Sequence, residues 1–161
     1  MILALEGPDR CGKTSVFKEL AKTERGVFVP SLSFPPELHP VQGLVCSHLA
    51  QLWESLYRDK ELYVCDRSLF VSGPVYAALY GTEFPYNWAK WTEECSVVYF
   101  DVPSLMLETR CRTTDEPFDL EECAELKALY SKYLKAFKRV LVVDGTRSPL
   151  DLAEEIAEWA L

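Results

Sequence analysis

Residues 6 to 15 read EGPDRCGKTS, and this stretch decides how the rest of the chain is interpreted. It satisfies the pattern of a phosphate-binding loop, with Gly7, Gly12, Lys13 and Thr14 at the fixed positions. In that pattern backbone N–H groups wrap phosphates, the lysine neutralises them and the hydroxyl reaches Mg²⁺. We therefore expect nucleotide phosphates at this loop. The candidate contact residues in it are Gly7, Asp9, Cys11, Gly12, Lys13, Thr14 and Ser15.

The pattern requires a strand before the loop and a helix after it, and the sequence meets both conditions. Residues 1 to 5, MILAL, form a short apolar run typical of a buried strand, and Thr14 to Thr23 has helical spacing. The alternative is a glycine turn that caps an ordinary helix. The flanking elements favour the phosphate-binding interpretation.

Short apolar runs alternate with helical patterns along the whole chain. Strands are predicted at Ile2 to Leu5, Val27 to Val29, Leu62 to Cys65, Val97 to Phe100 and Val140 to Val143. Helices are predicted at Thr14 to Thr23, Pro40 to Arg58, Ser72 to Tyr80, Asn87 to Glu94, Pro103 to Cys111, Leu120 to Lys138 and Pro149 to Leu161. This alternation predicts an α/β fold, a five-stranded parallel sheet flanked by helices, in one domain over residues 1–161. The proline-rich stretch from Pro30 to Pro40 is predicted to be an irregular loop.

The composition favours a soluble, cytoplasmic protein that binds a small anion. Lys and Arg number 17 against 25 Asp and Glu, so the net charge is −8, which repels a nucleic-acid backbone. The sequence contains no apolar stretch long enough to cross a bilayer, so we expect neither nucleic acid nor a membrane as partner. Its six cysteines include no C-x-x-C pair, which favours reduced, buried thiols over metal or disulfide use.

Aspartates follow the predicted strands, and ligands collect at the carboxyl ends of parallel strands. Asp66 can take Mg²⁺ together with Thr14, while Arg67 can fork onto an acceptor phosphate. The alternative for Asp66-Arg67 is a surface ion pair at a strand end.

A second basic pair, Arg110 and Arg112, precedes the polar residues 113 to 117, and residues 110 to 119 are predicted to be a small lid. A closed lid would exclude water, which competes as an acceptor. Alternatively, both arginines only complement the dipole at the end of a helix.

Together these residues resemble thymidylate kinase, of the P-loop nucleoside monophosphate kinase superfamily, over nearly the whole chain. The resemblance rests on Asp9-Arg10 inside the loop, Asp66-Arg67, Asp101-Val102-Pro103, the arginines of the lid and Asp144-Gly-Thr. One subtype of that family carries its catalytic arginine in the loop and has a lid poor in basic residues, and residues 113 to 125 hold no Lys or Arg.

The resemblance implies a three-layer P-loop kinase fold, ATP and Mg²⁺ as cofactors, and a deoxynucleoside monophosphate as acceptor. It implies catalytic roles for Arg10, Lys13, Asp66 and Arg67. Arg10 would stabilise charge on the transferred phosphoryl group, Asp9 would meet the acceptor sugar hydroxyl, and Arg67 would hold the acceptor phosphate. Adenine would lie between Arg110 and the loop of Thr146 and Arg147, with Arg112 as a further nucleotide contact. A homodimer is also implied.

The sequence departs from the family on the acceptor side. Phe34-Pro35 is followed by no Arg, and Pro40 to Glu54 contains neither the base-stacking Phe nor the base-reading Arg. Ser72 and Tyr76 lie one residue further from Asp66 than their counterparts. These departures suggest a divergent, phage-encoded member. The candidate acceptor-binding residues are Asp9, Phe34, Arg67, Phe70, Ser72 and Tyr76, with Trp53 as a further stacking candidate, and each aromatic has a core position as its alternative.

The sequence is compatible with three functions. The first is transfer of the γ-phosphoryl group of ATP to dTMP or a related pyrimidine monophosphate. The second is a kinase for a deoxynucleoside or for a hydroxymethylated base in DNA, because Asp66-Arg67-Ser68 is similar to an element of deoxyribonucleoside kinases. The third is a nucleotide-binding module without catalysis.

Overall fold

A five-stranded parallel sheet forms the centre of the fold. The computed structural model describes residues 1–30, 62–84, 87–113 and 118–160. The strands are β1 (Ile2–Glu6), β2 (Val27–Val29), β3 (Tyr63–Asp66), β4 (Cys95–Asp101) and β5 (Arg139–Asp144). They are arranged in the order β2-β3-β1-β4-β5, and every pair is parallel. The central position of β1 places the loop that follows it at the middle of the sheet edge.

Helices cover both faces of the sheet. Those of the described residues are α1 (Lys13–Ala21), α2 (Leu69–Leu79), α3 (Ser104–Arg112), α4 (Leu120–Tyr133) and α5 (Pro149–Ala160). The prediction of an α/β fold with a five-stranded parallel sheet flanked by helices is therefore confirmed. The predicted helix from Pro40 to Arg58 and most of the proline-rich loop lie outside the described residues.

Alternation along β1 divides the core between the two faces. Leu3 and Leu5 pack in a cluster with side chains of α1 and α5, whereas Ala4 packs in a second cluster with side chains of α2 and α4. Successive side chains of a strand point to opposite faces, so Glu6 follows Ala4 onto the face of α2 and α4. This places a carboxyl group inside the protein.

Three helix predictions were wrong in extent or type. The segment predicted as a helix from Asn87 to Glu94 is a single 3₁₀ turn, Trp88–Trp91. The helix predicted to run to Lys138 ends at Tyr133 and continues as a 3₁₀ turn, Leu134–Ala136. The helix predicted to begin at Ser72 begins at Leu69, because the Ser68 hydroxyl caps it by accepting a hydrogen bond from the Phe70 backbone N–H at 3.3 Å.

Ser148 caps α5, since its Oγ accepts a hydrogen bond from the backbone N–H of Asp151 at 3.1 Å. The prediction of reduced, buried thiols holds for Cys11, Cys65, Cys95, Cys111 and Cys123, all of them free and buried. Cys46 lies outside the described residues. Within the part of the chain that the structure covers, no helix is both long and apolar enough to span a bilayer.

Candidate active site

The loop after β1 is held in shape by glycine conformations and by one lysine. Gly7 and Gly12 have φ angles of 142° and 100°, a region that glycine adopts without strain. Lys13, which is buried, donates hydrogen bonds from Nζ to the carbonyl oxygens of Gly7 at 3.0 Å and Pro8 at 2.6 Å. The lysine therefore closes the loop from within.

A cavity of about 800 Å³ lies alongside this loop and α1. It gathers most of the residues predicted to contact nucleotide, from four separate stretches of the chain. The predicted residues that line it are Asp9, Arg10, Cys11, Gly12, Lys13, Thr14, Ser15, Asp66, Arg67, Arg110 and Arg147. The cavity is thus built from the carboxyl ends of β1, β3 and β5 together with the last turn of α3.

Thr14 and Asp66 meet in the lining of this cavity. The Thr14 hydroxyl donates a hydrogen bond to Asp66 Oδ2 at 2.6 Å, and Asp66 is buried. A hydroxyl and a carboxylate are oxygen ligands that suit Mg²⁺, which usually keeps several waters and takes substrate phosphates as further ligands. In the described ranges, no group of three or more His, Cys, Asp or Glu side chains is placed to hold a metal by itself. The pair therefore suits an Mg²⁺ ion that takes its remaining ligands from nucleotide phosphates and water.

Arg10 and Arg67, the two arginines predicted to be catalytic, have left-handed backbone conformations. The φ angle is 63° at Arg10 and 71° at Arg67. A non-glycine residue held in this region costs about 1–3 kcal/mol, and such residues concentrate at functional sites. Both residues line the same cavity.

Arg110 joins the loop to the turn after β5. Its Nη1 donates to the carbonyl oxygen of Arg10 at 2.8 Å, and its Nη2 donates to that of Gly145 at 3.3 Å. A Cβ added at Gly145 would lie 2.9 Å from the Cys11 carbonyl oxygen, so this turn packs directly on the loop. Arg110 therefore fixes one wall of the cavity.

Arg67, which was predicted to hold the acceptor phosphate, contacts the side chains of Asp9 and Tyr130. Its Nη2 contacts Asp9 Oδ1 at 2.5 Å, and its Nη1 donates to the Tyr130 hydroxyl at 3.1 Å. The guanidinium also lies over the ring of Tyr76, 5.4 Å from the ring centroid. The Arg67 charge lowers the pKa of the Asp9 carboxyl below its ordinary value.

Glu6, which the sequence did not mark as a candidate, is linked to Arg67 through the Tyr130 hydroxyl. It is fully buried, and its Oε1 accepts a hydrogen bond from the Ser68 backbone N–H at 2.6 Å. Its Oε2 accepts from the Ser72 hydroxyl at 2.5 Å and from the Tyr130 hydroxyl at 3.1 Å. Burial raises the pKa of the Glu6 carboxyl, against the opposing effects of the Arg67 charge and of the hydrogen bonds from Ser72 and Ser68. The available signal was a glutamate ending an otherwise apolar strand.

Several predicted site residues lie away from the cavity. The Arg112 side chain is exposed and pairs with Glu108 at 2.5 Å, one helical turn back on α3. Thr146 forms a local turn in which its N–H and hydroxyl both donate to Asp144 Oδ1, at 3.0 and 2.7 Å. Gly7 supplies a carbonyl to Lys13 beneath the loop and is not among the lining residues described.

On the acceptor side, two candidates are core residues. Phe70 is buried and stacks on Trp91, with ring centroids 4.1 Å apart, so that face of its ring is taken. Ser72 is fully buried, and its hydroxyl donates a hydrogen bond to Glu6. Phe34 and Trp53 lie outside the described residues, as do positions 114–117 of the predicted lid.

Comparison with solved structures identifies the fold. The structure is similar to YorR from Bacillus subtilis, solved with phosphorylated GDP, with a TM-score of 0.70 and 19% identity over 98% of this chain and 94% of that one. Deoxyadenosine kinase from M. mycoides with bound dATP gives a TM-score of 0.66 and 16% identity, covering 98% of each chain. The chain has the P-loop kinase fold.

Shikimate kinase from Aquifex aeolicus shares this P-loop kinase fold, with a TM-score of 0.63 and 17% identity over 98% of this chain and 94% of that chain. No family model matches the sequence, and no curated protein does either. The finer resemblance to thymidylate kinase stays a prediction.

Proposed function

We propose that this P-loop kinase fold carries an ATP-dependent phosphotransferase that moves the γ-phosphoryl group of ATP to a deoxynucleoside monophosphate. The first candidates for the acceptor are dTMP and related pyrimidine nucleotides. The observation that supports the proposal most is the single cavity shared by the loop, the Thr14–Asp66 pair, Arg10 and Arg67. Phosphoryl transfer needs positioning and charge stabilisation rather than covalent help, and these residues supply both.

On the donor side, the loop amides and Lys13 would hold the ATP phosphates, with Arg110 and Arg147 towards the adenosine. Thr14 and Asp66 would hold Mg²⁺, which neutralises phosphate charge when it is bound. Arg10 would stabilise the negative charge that develops on the transferred group. Such a contact acts mainly in the transition state, so Arg10 is expected to govern kcat.

On the acceptor side, Asp9 and Arg67 would receive the acceptor together. Asp9 would accept a hydrogen bond from its sugar hydroxyl, and Arg67 would contact its phosphate. The Asp9 side chain is 81% exposed and that of Arg67 is 11% exposed, so the carboxylate is the more accessible member of the pair. An acceptor is therefore expected to displace or share Asp9 while Arg67 stays in place.

A deoxynucleoside is the second candidate acceptor. The contact of 2.5 Å between Arg67 and Asp9 already offsets the cation that would hold an acceptor phosphate. The structural neighbours also include deoxyadenosine kinase from M. mycoides. The net charge of −8 argues against duplex DNA as a substrate.

The test is a coupled assay of ADP release with purified protein and MgATP. It compares dAMP, dGMP, dCMP, dTMP and dUMP with the corresponding deoxynucleosides. Turnover that requires a pyrimidine monophosphate supports the first proposal, whereas turnover only with nucleosides selects the second candidate. No turnover with any of these acceptors overturns both proposals, and ATP binding alone would then indicate a binding module.

A further inference from the structure

A chain of polar contacts runs from the exposed surface of the cavity through Arg67 into the protein interior. It begins at the Asp9 carboxylate, passes through the Arg67 guanidinium and the Tyr130 hydroxyl, and ends at the Glu6 carboxyl. Its members come from the loop after β1, the turn after β3, helix α4 and strand β1 itself. Ser72 joins the same point, because its Oγ lies 2.5 Å from Glu6 and 3.1 Å from the Tyr130 hydroxyl.

The Tyr130 hydroxyl can serve both neighbours at once. A guanidinium only donates hydrogen bonds, so Tyr130 accepts from Arg67 and is left to donate its own proton. The carboxylate oxygen of Glu6, which lies 3.1 Å away, is an acceptor for that proton. The contacts therefore run from Arg67 through Tyr130 to Glu6, with the Ser72 hydroxyl as a further neighbour of Tyr130 at 3.1 Å.

Glu6 gives this chain a rigid end. It belongs to the central strand of the sheet, and both Glu6 and Tyr130 are fully buried. A buried carboxyl group is costly unless it is hydrogen-bonded, and Glu6 receives bonds from a backbone N–H and two hydroxyls. A group so completely satisfied has one geometry available to it.

We propose that Glu6 and Tyr130 are positioning residues for the acceptor site, and that they hold the Arg67 guanidinium at its inner end while its outer end exchanges Asp9 for the acceptor. The inference rests on the proposed function, in which Arg67 contacts the acceptor. Its consequence is that the affinity for acceptor depends on a hydroxyl that no acceptor touches.

Tyr99 provides a matched control for Tyr130. The two rings are neighbours, with centroids 5.3 Å apart, and both tyrosines are buried. The Tyr99 hydroxyl has no hydrogen-bond partner among the described residues. Replacement by Phe removes one buried hydroxyl in each case, but only at Tyr130 does it interrupt the contact to Arg67.

The kinetic test compares wild type, Tyr130→Phe and Tyr99→Phe. A lost hydrogen bond to a charged group predicts about a tenfold rise in KM for the acceptor in Tyr130→Phe. The KM for ATP should stay unchanged in this variant, and Tyr99→Phe should match wild type in both constants. An unchanged acceptor KM in Tyr130→Phe, or an equal rise in both KM values, would overturn the proposal.

Glu6→Gln gives an independent variant of nearly the same shape. The amide replaces one acceptor oxygen by an NH₂ group, so the chain of polar contacts loses the carboxylate at its end. We expect a rise in acceptor KM, and we expect the double variant with Tyr130→Phe to show less than the product of the two single effects. Independent, multiplicative effects would mean that the two residues do not act through one chain of contacts.

A third measurement separates this inference from the proposed function. Side-chain NMR of arginine labelled with nitrogen-15 reports the mobility of the Arg67 Nε–H in the free protein, with Arg67→Lys to assign the signal. Tyr130→Phe should increase that mobility, and Tyr99→Phe should not. Absence of turnover with any acceptor would refute the proposed function without altering this result. Unchanged Arg67 mobility in Tyr130→Phe refutes the positioning role whatever the activity.

Discussion

The loop after β1 lines the cavity directly, whereas the cluster of Glu6, Ser72 and Tyr130 lies beneath Arg67 and supports that one lining residue. In the loop, Lys13 contacts residues only 2 to 6 positions away, and its partners are mostly backbone carbonyls. In the cluster, Glu6 and Tyr130 are 124 positions apart, and the contacts are made by side chains. The loop therefore depends on backbone conformation, whereas the cluster depends on individual hydroxyl and carboxyl groups.

Because of this difference, the loop and the cluster should respond differently to substitutions. A site made from backbone groups constrains few residue types, namely the glycines, the lysine and the hydroxyl. A site made from buried side chains fails when one partner is removed, because a buried polar group left unpaired costs about 1–3 kcal/mol. We expect substitutions on the donor side to alter kcat, and substitutions in the cluster to alter acceptor KM and stability.

The largest expected effect is on the donor side, at Arg10. Arg10→Ala should lower kcat by about 10²-fold or more, since a cation of this kind acts mainly in the transition state. Steady-state kinetics with saturating MgATP and acceptor measures it. Arg25→Ala, an exposed arginine before β2, is the control and should keep full activity. An unchanged kcat in Arg10→Ala would remove Arg10 from the chemistry.

A second pair of variants tests the backbone basis of the loop. A Cβ at Gly7 would lie 2.9 Å from the Phe100 carbonyl oxygen, whereas the nearest atom at Gly12 would be 3.9 Å away. Both residues have positive φ, so Gly12→Ala should cost about 1–2 kcal/mol through strain alone and Gly7→Ala more. Urea unfolding measures both free energies. Equal losses would show that the contact at Phe100 is not limiting.

The loop after β1 could be predicted from the sequence, whereas the buried cluster beneath Arg67 could not. The strand, loop and helix around Gly7 follow from local spacing, and the structure contains all three. The predicted start of α2 at Ser72 was too late, because the Ser68 side chain caps the helix and begins it at Leu69. The cluster could not be predicted, because no local pattern reports that the Tyr130 hydroxyl meets Glu6. Arg112 faced the same difficulty, since helical spacing alone does not say which arginine of α3 turns inward.

Replacing Tyr99 and replacing Tyr130 by Phe should have opposite effects on the free energy of unfolding. Tyr99→Phe should stabilise the protein by about 1 kcal/mol, because it removes a buried hydroxyl that has no partner among the described residues. Tyr130→Phe should destabilise it by about 1–2 kcal/mol, because it leaves Glu6 and Arg67 each with one bond fewer. Denaturant unfolding at neutral pH measures both. Destabilisation of equal size in both variants would mean that the Tyr99 hydroxyl has a partner.

The smallest expected effect on stability concerns the exposed ion pair between Asp9 and Arg67, which lies outside the buried cluster. Arg67 lowers the pKa of Asp9 from its ordinary value of 3.8, so the stability from this pair is complete above that pH. It is lost as the pH falls through the lowered pKa. Because Asp9 is 81% exposed, Asp9→Asn should cost under about 1 kcal/mol at neutral pH. The difference from wild type should shrink in urea titrations below pH 3.8, and a difference that grows there would contradict this account.

The central claim is that the loop after β1 holds the phosphates of a nucleotide. Isothermal titration calorimetry of the wild-type protein with MgATP tests it most directly, with Lys13→Ala and the control Arg25→Ala beside it. We predict saturable binding of one nucleotide per chain, retained in Arg25→Ala and weakened at least about tenfold in Lys13→Ala, which loses a charged phosphate contact. The absence of binding to the wild type, or binding of equal strength in Lys13→Ala, would contradict the claim.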